Sequence, residues 1–122
     1  MTDKKKILII EDEEDFATLV TIRLEEAGFE VALEPNGDHA ISRIKESKPS
    51  LVILDYYLSK GDGFTVIRKM KADAALSPIP VILVTGKAVM MEDVFRVEGA
   101  VEFFKKPVDM KILVNRVKEL TK

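Results

Sequence analysis

Three uninterrupted aliphatic runs, ILII (7–10), LVIL (51–54) and VILV (81–84), constrain the fold more than any other feature of the chain. A strand with one wet face alternates apolar and polar residues, whereas four aliphatic residues in a row require cover on both faces. Fully covered strands of this kind belong to parallel sheets flanked by helices. Weaker strand signals lie at 29–33 and 101–104, and the segments between the runs carry helical spacing. Phe16, Leu19, Val20, Leu24 and Ala27 predict a first helix, with Gly28 at its C-cap. Asn36-Gly37 predicts a turn before a second helix carrying Ala40, Ile41 and Ile44. Val66, Ile67 and Met70 mark a third helix, and Met90, Val94 and Val97 a fourth, closed by Gly99. Asp109 predicts the N-cap of a fifth, with Ile112, Leu113, Val117 and Leu120 on its apolar face. Five βα units with short connections give an α/β fold, a doubly wound parallel sheet with helices on both sides.

At 122 residues the chain suits one domain, and no linker, repeat or low-complexity segment divides it. A net charge of −2 with mixed signs offers no basic footprint for direct nucleic-acid binding. The absence of cysteine excludes disulfides, thiolate metal sites and cysteine nucleophiles. The basic N-terminal run precedes only four apolar residues and then an acidic cluster, too short for a secretory core of about 7–15. No stretch reaches the roughly 20 apolar residues of a membrane span. The expectation is a cytoplasmic protein without membrane insertion.

Open parallel sheets place function outside the carboxyl ends of their strands. Those positions hold Glu11 and Asp12 after the first strand, Asp55 after the third, Thr85 after the fourth and Lys106 just past the fifth. Three carboxylates at adjoining strand ends repel one another and must take up protons or a cation. An all-oxygen ligand set favours Mg2+, which uses few carboxylates and readily binds phosphate oxygens. Lys106 can neutralise a phosphoryl oxygen and the Thr85 hydroxyl can hydrogen-bond another. Phosphoryl transfer asks mostly for positioning and charge stabilisation, and an aspartate can serve as its nucleophile. Asp55, at the end of the central strand, is the candidate.

With these residues in place, the sequence resembles the receiver domains of two-component response regulators over essentially its whole length. ILIIEDEED is similar to the first strand and acidic pair, LVILDYYLSKGDGF to the phosphoacceptor motif, VILVTGK to the threonine strand and GAVEFFKKP to the lysine-proline motif. The resemblance implies a flavodoxin-like (βα)5 sheet in the order 2-1-3-4-5, a receiver domain over residues 1–122 and no output domain. It implies phosphorylation of Asp55, Asp12 as a direct Mg2+ ligand, Glu11 acting through metal-bound water, and the Tyr57 carbonyl as a further ligand. Lys106 would pair with the phosphoryl group across a cis peptide to Pro107, with Thr85 and Phe103 as the switch pair. Tyr57 and Lys87 would flank the phosphoryl group and set access for water. The implied donor is a histidine kinase or phosphotransfer protein. The implied output is a protein target, or a receiver homodimer, engaged through the fourth helix, fifth strand and fifth helix. Such a protein is a switch that assists its own phosphorylation and dephosphorylation, not an enzyme acting on other substrates. The sequence departs from the pattern at Ser59, where a proline is common, at the bulky Tyr57, at Phe103 in place of tyrosine, and in a Thr85–Lys106 segment one residue shorter than expected.

Other residues have plainer readings. Asp62-Gly63 reads as a structural turn, and His39 as an exposed residue of the second helix. Met91 and Phe95 fall beside the apolar face of the fourth helix, where they are either scattered surface residues or part of a partner surface. A flavin protein of the same fold would not place EDEED at its phosphate loop, and the G-x-G-x-x-G of a dinucleotide enzyme is absent. A dehalogenase-type phosphatase would carry a second carboxylate at position 57. The remaining alternative is a phosphorylation-independent interaction module that keeps the fold as scaffold.

Overall fold

A computed structural model describes residues 4–86 and 99–122. The predicted fourth helix, with Met90, Met91, Val94, Phe95 and Val97, and the predicted Lys87 position lie outside the described residues. The described elements are β1 (Lys6–Ile10), α1 (Glu14–Glu26), β2 (Glu30–Glu34), a 3-10 turn (Gly37–His39), α2 (Ala40–Ser47), β3 (Leu51–Asp55), α3 (Gly63–Ala72), β4 (Val81–Thr85), β5 (Glu102–Lys105) and a C-terminal helix (Met110–Leu120). All strand pairs are parallel, in the order β2-β1-β3-β4-β5.

The aliphatic runs form the central strands. Every residue of β3 and β4 is buried, as are the last four of β1. Because side chains alternate across a strand, the runs feed two cores at once. Ile7, Ile9, Leu51, Ile53, Ile82 and Val84 pack on the side of α1 and the C-terminal helix, against Phe16, Val20, Leu24, Leu113 and Val117. Leu8, Ile10, Val52, Leu54, Val81 and Leu83 face α2 and α3, against Ala40, Ile44, Val66, Ile67 and Met70. Each fully buried large aliphatic side chain contributes roughly 1.5–3 kcal/mol, so this two-sided filling supplies most of the drive to form the sheet.

The helix boundaries follow local chemistry. Gly28, just past the α1 C-cap, has φ +96°, the left-handed conformation that stops a helix cleanly. Asn36 caps the 3-10 turn by accepting the Asp38 N–H at 2.8 Å. Asp62 accepts the Thr65 N–H at 2.8 Å to start α3, and Asp109 accepts those of Lys111 and Ile112 to start the C-terminal helix.

Three expectations need correction. Leu19 is 40% exposed because the small Ala17 takes the core-facing place beside Phe16 and Val20. Ile112 is 56% exposed, since Leu113 and Val117 alone supply the buried seam of the last helix. His39 is exposed as expected, but it closes the 3-10 turn instead of lying within α2.

Candidate functional site

Strand register assembles the candidate site at the carboxyl edge of the sheet. Ile10 pairs with Leu54, so Glu11 and Asp55 emerge side by side from β1 and β3. The strands stay tied beyond their ends: Glu11 N–H donates to Glu34 O at 3.1 Å, Tyr56 N–H to Val84 O at 3.0 Å and Lys106 N–H to Thr85 O at 2.8 Å. Rigid ladders therefore aim the side chains, as a site of defined geometry requires.

Asp55 is buried at 5% exposure. Its Oδ1 accepts the Tyr57 N–H at 3.0 Å, and its Oδ2 accepts from Lys106 Nζ at 3.1 Å. Glu11 is buried to 3% exposure, and its Oε1 accepts the Glu13 N–H at 2.9 Å. Lys106 Nζ lies 2.9 Å from Glu11 Oε2, an ionic contact outside hydrogen-bond direction that leaves this buried oxygen without a directed donor. Asp12, more open than its two neighbours, accepts the Ser59 N–H on Oδ2 at 2.6 Å. Carboxylate oxygens of Glu11, Asp12 and Asp55 all lie within 4.8 Å of one another. Lys106 also stands 3.4 Å from Glu13 Oε1 and 4.4 Å from the centroid of the Phe16 ring, which receives the cation on its face.

Electrostatics follow from this crowding. Burial pushes the Glu11 carboxyl from 4.5 up to about 7; the Asp55 charge adds to the rise, against the Glu13 amide and Lys106. Burial also disfavours the Lys106 ammonium, but the carboxylates of Glu11 and Asp55 outweigh it and raise its pKa. Burial works against ionised Asp12 too, yet the Ser59 hydroxyl and amide hold its carboxyl below the usual range.

The remaining predicted residues have definite places. Thr85 is the buried last residue of β4, and Phe103 pairs with Leu83 in register. Thr85 and Phe103 thus share the sheet face toward α2 and α3, one row apart. Tyr57 is 43% exposed, its ring 5.0 Å from that of Tyr56 in an edge-on contact. The Lys106–Pro107 peptide is cis. Gly63 is structural: its N–H donates to Tyr56 O at 2.9 Å, and a Cβ would stand 2.8 Å from Asp55 O. Sequence reasoning missed Glu13 and Phe16 as neighbours of Lys106, and the Ser59 amide as a neighbour of Asp12.

The donor set fits Mg2+. It consists of carboxylate oxygens only, one of them buried without a directed donor, on backbones held by a sheet. A doubly wound parallel sheet in the order β2-β1-β3-β4-β5, with an acidic cluster and Lys106 at its carboxyl edge, defines a class of open α/β folds whose sites lie at strand ends. Within that class, residues 7–118 match the response regulator receiver domain family, and the chain belongs to it. It is 34% identical over 96% of its length to the DNA-binding response regulator MtrA of Mycolicibacterium smegmatis, covering 50% of that protein. The chain thus spans about half the length of the curated relatives it matches. Among solved structures it is similar to a two-component response regulator from Clostridium difficile (TM-score 0.87, 29% identity, 96% of this chain and 95% of that one). It is also similar to the phosphorylated cyanobacterial phytochrome response regulator RcpA (TM-score 0.80, 26% identity, 97% and 91%).

Proposed function

We propose that this receiver domain accepts a phosphoryl group on Asp55 from a histidine kinase or phosphotransfer protein, in a Mg2+-dependent reaction, and passes the change to a protein partner. The observation that carries this reading is the Asp55 carboxylate, buried, with one oxygen 3.1 Å from the Lys106 ammonium and the Glu11 and Asp12 oxygens within 4.8 Å. An Asp55 oxygen attacks phosphorus while the donor's bond to phosphorus breaks, giving the acyl phosphate. Glu11 and Asp12 would hold the cation, together with Asp55 and the Tyr57 carbonyl; Mg2+ would supply charge neutralisation for the phosphoryl oxygens. Lys106 neutralises a further phosphoryl oxygen, and the Tyr57 N–H holds the carboxylate in its orientation.

Thr85 and Phe103 act as the switch pair, sharing a face next to the site, while Tyr57 and Lys87 govern the approach of water. The chain is then a switch that takes part in its own turnover, not an enzyme with an external substrate, and works inside the cell where kinase and nucleotide are found. Its reader is a protein surface, or a second copy, at β5 and the neighbouring helices. The DNA-binding activity in the name of the longer relative MtrA needs no basic face on a domain of net charge −2. The phosphorylated state of RcpA supports the same chemistry on this fold. Incubation with Mg2+ and a small acyl-phosphate donor should add one phosphoryl group by intact-protein mass spectrometry, and Asp55→Asn should abolish the gain. An unmodified protein at saturating donor and Mg2+ would refute the proposal and leave the scaffold reading.

A further inference from the structure

Lys106 is held from two sides. On the buried side its ammonium meets Asp55 Oδ2 at 3.1 Å and Glu11 Oε2 at 2.9 Å. On the open side it donates to Glu13 Oε1 at 3.4 Å and stands 4.4 Å from the centroid of the Phe16 ring. Glu13, Phe16 and Lys106 line one groove of about 420 Å³ with Pro107 and Val108, a groove that Glu11 and Asp55 do not line. Glu13 is the N-cap of α1, a position where a side-chain oxygen usually accepts a helix N–H, yet its side chain makes no such bond. Its backbone is fixed: the N–H donates to Glu11 Oε1 at 2.9 Å, and the carbonyl accepts the Ala17 N–H at 3.0 Å. The exposed carboxylate thus rides on a fixed backbone and turns to the ammonium instead of to its own helix.

We infer that Glu13 sets the rate of phosphoryl transfer: its carboxylate holds the Lys106 ammonium on the groove side, in competition with the phosphoryl oxygens. This rests on the proposed phosphorylation of Asp55 and adds to it a residue that restrains the reaction. Glu11, Asp12 and Asp55 form the acidic cluster that would hold the cation, and Glu13 is not one of them. Its carboxylate therefore still faces Lys106 when the charges of the cluster have been matched. The chemical step is unchanged, since an Asp55 oxygen bonds to phosphorus as the donor's bond to phosphorus breaks. What Glu13 adds is a hydrogen bond that Nζ must give up before all its donors can turn to the developing charge. An ion pair with an exposed partner is weak in water, so the restraint is modest, about two- to fivefold in rate.

The test compares initial phosphorylation rates of the parent, Glu13→Gln and Asp15→Asn with a small acyl-phosphate donor at saturating Mg2+. Salt at about 0.15 M screens exposed charges beyond roughly 8 Å. Glutamine keeps the length and the backbone bonds at position 13, and should be phosphorylated about two- to fivefold faster than the parent. Asp15 lines the same groove and carries the same charge, but the carboxylates paired with Lys106 are Glu11, Glu13 and Asp55. Asp15→Asn should therefore keep the parent rate. A second measurement needs neither cation nor donor. In the metal-free protein the Phe16 ring current shields the Lys106 ε-methylene protons beside the ammonium. In Glu13→Gln the ammonium should draw inward to Glu11 and Asp55 and this resonance should move downfield, while Asp15→Asn leaves it in place. A parent-like rate in Glu13→Gln, an equal gain in Asp15→Asn or an unmoved Lys106 resonance overturns the inference and leaves the proposed function standing. A parent protein that takes up no phosphoryl group overturns the proposed function, and this inference with it.

Discussion

Replacing Glu11 by glutamine should flatten the pH dependence of stability between pH 5 and pH 8 in the absence of divalent cations. Glu11 is buried with its carboxyl pushed from 4.5 to about 7, first by burial and then by the Asp55 charge. Between those two values the folded protein holds a proton on this group that the unfolded chain has released. Stability rises with pH only where the unfolded state binds more protons, so here it must fall as pH rises. The contribution is fully present below about pH 4.5 and lost as pH passes through 7. A shift of this size corresponds to about 3 kcal/mol, of which roughly 2–3 kcal/mol lies between pH 5 and pH 8. Asp12, with its carboxyl lowered, contributes stability that is lost only on acidification below this window. Lys106, with its pKa raised, contributes stability lost only in strong alkali.

Urea unfolding of the parent and of Glu11→Gln at half-unit steps of pH, in EDTA, measures the difference directly, because every other titrating group is common to both. The parent should lose roughly 2–3 kcal/mol relative to the variant from pH 5 to pH 8, with half of the loss reached near pH 6 and the slope flattening above pH 7. Glutamine Oε1 can still accept the Glu13 N–H, so the comparison isolates the charge. Repeating the parent series with Mg2+ should restore stability at the alkaline end, since a bound cation favours the ionised carboxyl. Parallel parent and variant profiles would refute the assignment of a protonated, buried Glu11, and with it the picture of an over-acidic cluster that needs a cation.

Removing the cation already present should have the complementary effect. Lys106→Met should destabilise the metal-free protein by about 3 kcal/mol at pH 8, as expected for a buried pair that loses one partner, and by less at pH 6, where Glu11 is protonated; chemical denaturation at the two pH values checks this. Gly63→Ala should cost about 1–3 kcal/mol, because its Cβ meets backbone atoms of Asp55 and Tyr56 at 2.8 Å that cannot rotate away, and should slow phosphorylation as well. Asp109→Ala should cost about 1 kcal/mol in thermal or urea unfolding through loss of the cap on the last helix, with phosphorylation of Asp55 unchanged.

The central sheet was legible in the sequence because burial on both faces leaves a local trace, four aliphatic residues together. The strand ends were legible for the same reason, since a charged residue directly after such a run must sit at the rim of the sheet. Asp55 and Glu11 are read that way, and register then brings them together. Helix faces were less legible. Leu19 and Ile112 satisfy helical spacing, yet each lies roughly 115–120° around its helix from the middle of the buried seam, which small or fewer residues suffice to fill. The least legible contacts are those made by the backbone or across long separations. Any residue but proline can donate an N–H, so nothing in the letters marks Ser59 as the partner of Asp12. Glu13 looks like an ordinary acid in the first turn of a helix until the fold brings Lys106, 93 residues later, to within 3.4 Å of it.

The charge balance of the site argues for the order of events in the proposed transfer. In the cation-free protein one ammonium serves Glu11, Asp55 and Glu13 together, and the proton held by Glu11 around neutral pH relieves part of the excess. A phosphoryl group on Asp55 would add about one and a half to two negative charges in place of one, at a rim where Lys106 is already shared. The ammonium cannot neutralise the new oxygens without leaving Glu11, and Glu11 cannot stay buried and ionised alone. A divalent cation held by Glu11 and Asp12 removes that conflict, because it frees Lys106 for the phosphoryl oxygens. Phosphorylation should therefore require the cation before the donor, and Lys106 should exchange its carboxylate partners for the phosphoryl group. In Glu11→Gln, whose buried charge is absent, the requirement for Mg2+ should be weaker than for the parent at pH 8, with a smaller rise in initial phosphorylation rate on adding the cation.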